Sequence, residues 1–429
     1  MHCIWLFFCI VNICLRLSEG HRILVVGGAG RVGGSAVRAL VSRFPSSTLV
    51  VGGRDVKNWE VCKERHRLTS VSFLPMDISS EESIASTIPS FDLIIHTAGP
   101  FQGLRNPLLL RHALQLGKKY IDVCDDVPLS AICRSEVFQQ LAIKHKSSAI
   151  ISTGIWPGGS SLLAQKVIEA AGGHANVRNV TFSFFTAGSG GAGPTILTAT
   201  FLILGEDVIT YQNNQLVYKK SATDKRVVDF GEGIGRREVV RLSLIECESC
   251  HISGIGNVET FFGTAPPFWN TLFALMANII PQKWLQERNK MTILAKISLP
   301  MVRLIDSFVG SKNGTLYTYL NLFLCICLSD GLHTVGIRVD VVTNDDQVFT
   351  GIMSHEDLET AVGDSIAAFA AQMLGENKEE KEQEVKGERA SVPFGVFFPE
   401  EVPSKAFRDN VLEDIAQTAI TYTVYKGVA

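Results

Sequence analysis

Hydrophobic residues in the first third of the chain occur in short β-branched runs that alternate with stretches of helical spacing. Residues 23–26 form such a run, which stops at a pair of glycines, and apolar residues then recur every three or four positions over residues 32–44. Short apolar runs that end at glycine are typical of buried parallel strands. The same pattern predicts five more strands, at residues 49–51, 71–74, 93–96, 120–124 and 149–152.

Predicted helices lie between these strands, among them residues 106–116 and 129–144. A regular alternation of strand and helix favours an α/β fold, because each helix carries the chain back to start the next parallel strand. We therefore expect a doubly wound parallel sheet of the Rossmann type.

The pattern changes after Gly154. Residues 177–186 and 237–245 alternate like antiparallel strands, and long helices are predicted at 195–204 and 268–280. This favours a second domain of mixed α+β structure. The expected order is an apolar N-terminal appendage (1–21), the Rossmann domain (22–155), the α+β domain (156–352), a helix that returns to the Rossmann domain (353–375), a charged linker (376–391) and a C-terminal tail (392–429).

Composition narrows the functional class. Of the 429 residues 46% are hydrophobic and the formal charge is only −3, which is typical of a globular protein with a large core. Nucleic-acid binding would need a concentrated basic face, and the charges are spread evenly. The 10 cysteines lack the spacing of a disulfide framework, so a reducing compartment is expected.

Two apolar stretches do not fit this plan. Residues 3–15 are too few to span a bilayer, which needs roughly 20 residues, and they lack the basic flank and cleavage site of a signal peptide. Residues 316–328 have the same bias toward Cys, Leu and Phe. We interpret one or both as translated intron sequence; a buried helix at 316–328 and membrane contact through either stretch are the alternatives.

The strongest chemical signal is the glycine fingerprint that follows the first strand, Gly28-Ala29-Gly30-Arg31-Val32-Gly33. In this pattern the first glycine allows a tight turn, the second lets the backbone approach a pyrophosphate, and the third allows close packing of helix on strand. The helix start then offers free N–H groups and a partial positive charge to the phosphates. A nicotinamide dinucleotide is therefore the predicted cofactor.

The end of the second strand predicts which dinucleotide binds. Arg54 follows Gly52-Gly53, where an NAD site usually has an acid, and a guanidinium there can clamp a 2′-phosphate. We therefore prefer NADP(H) to NAD(H). Asp55 would serve NAD if the register shifted by one residue. Beyond the third strand, Asp77 is placed either to accept from the adenine amino group or to cap a helix that begins near Ser80.

Further segments extend the pattern along the chain. The first domain contains VVGGAGRVGG, VVGGRD, MDIS, HTAGPFQG, YIDVCDD and GIWPGGSS, and the second half adds TAGSGGAGPTIL, VVDFGEGIGRREV, FGTAPPFWN, HEDLETAVGDSIAAF and SVPFGVFFPEE. Together they resemble the saccharopine dehydrogenase-like family, and most closely its plant and algal members. The resemblance covers residues 22–312 and 334–403.

The resemblance implies an NADP-binding Rossmann domain, a catalytic and dimerisation domain, a homodimer, a plastid location and reduction of an imine formed from an amine and a carbonyl acid. The family's cofactor glycines correspond to Gly28, Gly30 and Gly33, and its nicotinamide-side loop to Ala98, Gly99, Pro100 and Phe101. The chain departs from the family's Pro-Gly-X-Ser-Asn turn by having Ser161 in place of Asn, which puts that substrate contact in doubt.

Reduction of an imine needs a proton donor for nitrogen. The candidates at the ends of predicted strands are His96, Asp125 and Asp126. Two adjacent carboxylates raise each other's pKa, which suits an acid, although either aspartate could instead cap the next helix, and His96 could be a core histidine.

Substrate contacts are predicted from the pocket wall and from a glycine-rich loop. Trp156 and Gly158 lie in the turn after the sixth strand, and Gly190 and Gly191 lie in the loop before a helix that starts with proline. Exposed N–H groups at that helix could hold a carboxylate, or the loop could be a simple turn. Further carboxylate-binding candidates are Arg236, Arg237 and Arg241.

Other motifs give no competing assignment. The segment from Cys247 to His251 matches the haem-attachment pattern, but we expect a coincidence, and no second Cys pair completes a zinc site, so no metal is predicted. The Tyr-x-x-x-Lys pair of short-chain dehydrogenases occurs only at Tyr422–Lys426, far from the first domain. The favoured function is an NADP-dependent oxidoreductase acting on a small amino-acid-like substrate; a non-catalytic NADP(H)-binding or redox-sensing protein is the alternative.

Overall fold

The computed structural model describes residues 20–187, 193–265, 267–309, 334–375 and 392–427. Two sheets organise this part of the chain. The first is entirely parallel and the second is mixed. The predicted fold class, a Rossmann sheet with a second α+β domain, is therefore confirmed.

The first sheet contains the six strands that the hydrophobic pattern predicts. They are β1 (Arg22–Val26), β2 (Thr48–Gly53), β3 (Ser72–Pro75), β4 (Leu93–His96), β5 (Lys119–Asp122) and β6 (Ser148–Ile150). Their order is β3-β2-β1-β4-β5-β6, with all neighbours parallel. This is the strand order of a dinucleotide-binding fold, which reverses direction between β1 and β4.

Helices cover both faces of this sheet. They are α1 (Arg31–Arg43), α2 (Val56–His66), α3 (Glu81–Thr87), α4 (Leu108–Gln115), α5 (Val127–Cys133) and α6 (Glu136–His145). The single helix predicted over 129–144 is wrong, because the chain leaves helical geometry between α5 and α6. Arg134 flanks α5 at its C-terminal end, and Ser135 flanks α6 at its N-terminal end.

The second sheet lies in the following domain. Its strands are β7 (Val177–Ala187), β8 (Val208–Gln212), β9 (Gln215–Lys219), β10 (Arg226–Asp229), β11 (Arg236–Arg241), β12 (Val258–Ala265), β13 (Val335–Thr343) and β14 (Val348–His355). Strands β7 and β12 are parallel to each other, whereas the other pairs of these strands are antiparallel.

Six helices accompany the second sheet in the described residues. They are α7 (Gly159–Ala170), α8 (Pro194–Leu204), α9 (Ile245–Ile252), α10 (Phe268–Ile279), α11 (Gln282–Leu285) and α12 (Arg288–Val309). α7 packs on β13 and β14, and both α10 and α12 pack against α8. Within the described ranges, none of the helices combines the length and the apolar character needed to cross a bilayer.

The C-terminal part of the chain joins the two domains. Helix α13 (Leu358–Leu374) packs on α1, where a Cβ on Gly363 would lie 2.7 Å from the Ser35 carbonyl oxygen. Residues 392–427, expected to form a tail, contribute β15 (Gly395–Phe397), α14 (Lys405–Gln417) and β16 (Thr421–Lys426). β15 extends the first sheet beside β6, and β16 extends the second beside β14.

Several sequence stretches lie outside the described residues. They are the two apolar stretches, the charged linker, and Gly190 and Gly191 in the glycine-rich loop.

Candidate functional site

A cavity of about 1550 Å³ opens at the carboxyl ends of the strands of the first sheet. The first domain contributes the turns after β1, β2, β3, β4 and β5, and the second domain contributes residues of α8, β12, α10 and α12. Ligands of doubly wound sheets bind at this edge, where the strand order reverses. The cavity therefore brings the predicted cofactor segments together with second-domain side chains.

The glycine turn after β1 is shaped one residue earlier than the fingerprint predicts. Gly27 has a φ of +85°, and a Cβ on it would lie 2.6 Å from the Ala98 amide nitrogen. Gly28 does not have a positive φ. It packs closely against β2, because a Cβ on it would be 2.8 Å from Val51 Cγ2. Gly33 packs α1 onto the turn, because a Cβ there would be 2.7 Å from the Gly28 Cα.

The start of α1 is open toward the cavity. Gly30 is its N-terminal flanking residue, with no side chain to cap the first N–H groups. A Cβ on Gly30 would meet only the Gly27 carbonyl oxygen, at 3.2 Å. Ala29, Arg31 and Val32 line the cavity beside it. Unpaired N–H groups at a helix start, with no side chain in front of them, are a fitting site for a diphosphate.

Arg54 lies directly after the last residue of β2, as predicted. Its side chain is exposed, lines the cavity, and makes no hydrogen bond or ion pair with the part of the chain that the structure describes. Asp55 caps α2 instead: its Oδ1 accepts from the Lys57 N–H at 2.9 Å. One oxygen of the acid that could have served NAD therefore caps a helix, while Asp55 still lines the cavity, and the exposed Arg54 guanidinium fits a 2′-phosphate.

Asp77 lines the cavity after β3 but does not cap α3. Its Oδ1 accepts from the Ser79 N–H at 2.9 Å and from the Ser79 hydroxyl at 2.7 Å, and these bonds lower the pKa of the carboxyl. Ser80 is the residue that caps α3, accepting from the Ser83 N–H. The helix-cap interpretation of Asp77 is therefore wrong.

Two arginines at the cavity are held by one acid from α13. Arg31 Nε donates to Glu359 Oε1 at 2.5 Å, and Arg65 Nη2 donates to Glu359 Oε2 at 2.8 Å. The Glu359 side chain is only 4% exposed, whereas those of Arg31 and Arg65 are 35% and 46% exposed. Glu359 thus fixes two guanidinium groups beside the start of α1. No local pattern in the chain indicates this pairing.

The loop from Ala98 to Phe101 lines the cavity, as predicted, but the histidine before it does not. His96 is buried behind the loop, with its ring 5.0 Å from that of Phe101 and its Nδ1 2.9 Å from the Tyr120 hydroxyl. Burial lowers the pKa of His96 to about 4. A neutral histidine away from the cavity is a core residue, which was the alternative interpretation.

The adjacent acids Asp125 and Asp126 have different environments. Asp126 is buried and caps α5, accepting from the Leu129 N–H at 2.8 Å and from Arg105 Nη1 at 3.2 Å. Asp125 lines the cavity, and burial raises its pKa to about 6, with the neighbouring Gln102 amide favouring the charged form. Of the three predicted proton donors, only Asp125 faces the space where a substrate could bind.

A further cavity-lining acid, Glu246, was not among the candidates predicted from sequence. It lies in the first turn of α9, is almost fully buried, and accepts from the Ser160 hydroxyl at 2.8 Å. Burial raises its pKa to about 7. Ser160 lies in the turn that departs from the family pattern. Only the pairing across 86 residues of chain reveals this acid, so no local motif could have indicated it.

Trp156 and Gly158, both predicted to contact substrate, have different positions. Trp156 lines the cavity, and its ring lies 5.4 Å from that of Phe184. Gly158 does not line it. Its φ is +125°, and a Cβ on it would lie 2.8 Å from the Ser152 carbonyl oxygen, so Gly158 is a turn residue.

None of the three predicted arginines lines the cavity. Arg241 is buried against Asp224 and Glu259 in ion pairs. Arg288, at the start of α12, lines the cavity instead and donates to the Gln102 carbonyl oxygen at 3.3 Å.

The remaining motifs have structural explanations. Cys247 and Cys250 are buried on α9. No group of three or more metal-binding side chains occurs among the described residues. Tyr422 and Lys426 lie on β16 in the second sheet, so they do not form the helical pair of a short-chain dehydrogenase.

Comparison with known proteins agrees with the glycine turn and the open arginine. Residues 23–155 match the family model of the saccharopine dehydrogenase NADP binding domain. Over these residues the first domain is similar to that NADP-binding domain. Its cofactor is therefore NADP(H), as the arrangement of Arg54 and Asp55 indicates.

Solved structures extend the likeness to the fold of the whole chain. The apo, histidine-tagged saccharopine dehydrogenase (L-Glu forming) from Saccharomyces cerevisiae aligns with a TM-score of 0.60 and 13% identity, covering 95% of this chain and 100% of that one. At this identity the likeness shows a common fold. A short chain dehydrogenase from Mycobacterium smegmatis aligns over 32% of this chain and 76% of its own at 14% identity. Its TM-score of 0.25 is too low to indicate a common fold. No curated protein sequence matches the chain.

Proposed function

We propose that this protein is an NADP-dependent oxidoreductase that reduces the C–N double bond of an imine formed from an amine and an oxo acid, or oxidises the corresponding secondary amine. The observation that carries the proposal is a continuous cavity shared by the NADP-binding turn and the acid Asp125, whose pKa of about 6 suits proton transfer.

The first domain would hold the cofactor along the strand ends. In this proposal the start of α1 (Gly28 to Gly33) binds the diphosphate, Arg54 binds the 2′-phosphate, and Asp77 lies at the adenine end. Residues 98–101 would border the nicotinamide. The start of α8 lies over this loop, since a Cβ on Gly99 would be 3.6 Å from Thr195 Cγ2. When bound, NADPH supplies the hydride.

Asp125 would supply the proton. Reduction adds a hydride to the imine carbon and a proton to the nitrogen, so one NADPH and one proton are consumed and NADP⁺ is released. Burial keeps a share of Asp125 protonated near neutral pH, and a desolvated acid close to the nicotinamide loop is well placed to donate. Glu246, buried on the same cavity, is the second candidate for this role.

Arg288 would hold the substrate carboxylate. Its guanidinium donates to the Gln102 carbonyl oxygen, and the Gln102 side chain interacts with Asp125, so both charged groups lie next to the residue that follows Phe101. A carboxylate bound at Arg288 would place the neighbouring carbon near that loop.

The test is consumption of NADPH, measured by absorbance, with pairs of a primary amine and a 2-oxo acid. Turnover that Asp125→Asn reduces by about 100-fold or more, with unchanged NADPH affinity, would support the mechanism. Tight NADPH binding with no turnover across such pairs would overturn it in favour of a binding or redox-sensing protein.

A further inference from the structure

The cavity is larger than its cofactor-binding half requires. Its volume of about 1550 Å³ exceeds the roughly 300–1,000 Å³ of most small-molecule pockets. The cofactor segments described above account for the side formed by the first domain. In the proposed function, the side formed by most of α8, β12, α10 and α12 is not needed to hold the dinucleotide.

This second-domain side is walled mainly by apolar side chains. Leu197 and Phe201 come from α8, Phe262 from β12, and Phe273 and Met276 from α10. The polar side chains on this side are the minority, among them Thr200, Thr264 and Ser298. A small, strongly polar amino acid would leave this apolar surface without a complementary partner.

The apolar wall is not simply an extension of the protein core. Leu197, Phe262, Phe273 and Met276 pack against a hydrophobic cluster on one side but remain partly exposed on the other. Each Å² of apolar surface left in water costs about 25 cal/mol, so surface of this kind favours an apolar ligand. The position of these side chains in a cavity, instead of on the outer surface, restricts that ligand to one that can enter beside the cofactor.

Two charged groups line the same cavity beside Gln102. Asp125 and Arg288 both lie next to Gln102, at the nicotinamide loop. A ligand with a charged head at this point would have its remaining atoms directed toward the aromatic and aliphatic side chains of α8 and α10. The two ends therefore describe one molecule that is polar at the reacting carbon and apolar beyond it.

We propose that the substrate carries a long aliphatic or bulky apolar group, which fills the space between α8, α10 and α12 while its carboxylate and C–N carbon lie near Arg288 and Asp125. This inference rests on the proposed function for the reaction, but the apolar site itself binds ligand whether or not hydride transfer follows.

The experiment compares 2-oxo acids with unbranched side chains of one to ten carbons, each with NADPH and the same primary amine. We expect kcat/KM to rise by about threefold to fourfold with each added CH₂ over the middle of the series, because each buried CH₂ contributes about 0.8 kcal/mol. Binding of the acid with the ten-carbon side chain (the ten-carbon acid) to the complex of protein and NADP⁺ is measured separately by calorimetry. This tests the apolar site without turnover.

Two substitutions on the same helix make the test specific. Met276→Gln keeps the side-chain length but places an amide in the apolar wall, and it should weaken the affinity for the ten-carbon acid by about tenfold. Ile279→Gln is the matched control, because Ile279 is 73% exposed and does not line the cavity. It should leave that affinity unchanged. Both variants should keep the wild-type affinity for NADPH.

The outcomes separate the two proposals. Turnover that is equal for short and long acids, or fastest for the shortest, would overturn the apolar substrate and leave the oxidoreductase intact. Saturable binding of the ten-carbon acid that Met276→Gln weakens, without turnover of any acid, would support the apolar site and contradict the proposed reaction. Equal loss of binding in both variants would overturn the assignment of the site.

Discussion

Arg31 and Glu359 are 328 residues apart in the chain, and the Nε of the first donates to the Oε1 of the second at 2.5 Å. Arg31 is the first residue of α1, next to the turn that would receive a diphosphate, whereas Glu359 lies in the first turn of α13. The segment that returns from the second domain therefore positions a charged group at the cofactor site. Arg65 shares the same carboxylate.

Removing the charge of this acid should destabilise the protein. Glu359→Gln leaves Arg31 and Arg65 without a neutralising partner, and a broken buried pair costs about 3–5 kcal/mol. Because both guanidinium groups are partly exposed to solvent, we expect a smaller loss, about 1–2 kcal/mol in the free energy of unfolding by urea. Glu356→Gln, at an exposed position, is the control and should change it by less than about 0.5 kcal/mol. Equal losses in the two variants would contradict the structural role of Glu359.

Two glycines of the turn should respond differently to alanine. Gly30→Ala places a methyl group in the open space before α1, so the fold should persist while the affinity for NADPH falls by about tenfold or more. Gly33→Ala places it between α1 and the turn and should reduce the free energy of unfolding by about 1–3 kcal/mol. Thermal unfolding measures the effect on stability, and fluorescence titration measures the affinity for NADPH. Loss of the fold in Gly30→Ala would show that the role of Gly30 is structural.

Arg54 should determine the choice between the two dinucleotides. Arg54→Ala should weaken NADPH binding by about tenfold or more while NADH binding changes little, since only NADPH has the 2′-phosphate that the guanidinium would hold. Lys57→Ala removes a nearby positive charge from a side chain that does not line the cavity, and it should affect neither affinity. The prediction is wrong if Arg54→Ala weakens both dinucleotides equally.

A buried glutamate should make stability depend on pH. Glu400 lies in the short turn after β15, where burial raises its pKa to about 7; Glu401 acts in the same direction, and Arg134 and the Ser249 hydroxyl oppose it. The raised pKa means that the folded state retains the proton where the unfolded state has lost it. Stability from this group is therefore present below pH 4.5 and is lost as pH rises toward 7.

Glu400→Gln removes this dependence. As pH rises from 4.5 to 7.5, the free energy of unfolding of the variant should increase relative to that of the wild type by up to about 3 kcal/mol. The reason is that a difference of one pKa unit corresponds to about 1.36 kcal/mol. Urea unfolding at several pH values measures the difference. Glu413→Gln, at an exposed position of α14, should show a constant difference from the wild type. A constant difference for Glu400→Gln as well would refute the prediction.

Local patterns were sufficient to predict the first sheet. Its first six strands are short apolar runs of three to six residues, and most of them end at or just before glycine or polar residues, so those strands carry their own signal. Arg54 was placed correctly for the same reason, because its position depends only on where β2 ends.

Contacts between distant segments could not be predicted in this way. Glu246 faces the cavity because α9 packs beside α7, and Arg288 reaches Gln102 because the first residue of α12 lies against the segment that follows Phe101. Strand β15 has only three residues, too few to show a period. Asp126 and His96 were candidates by position alone, and burial determined that both are structural.

Strand β15 forms the edge of the first sheet, although it begins 245 residues after the end of β6. Its three residues pair with β6, starting with Gly395 opposite Ser148. During synthesis, the ribosome must therefore add the residues up to Phe397 before the N-terminal domain can acquire its last strand. Until then the outer side of β6 is an open edge, able to pair with other chains. Completion of the first 155 residues is thus not sufficient for the nucleotide-binding half to mature, because residues 395–397 supply its last strand.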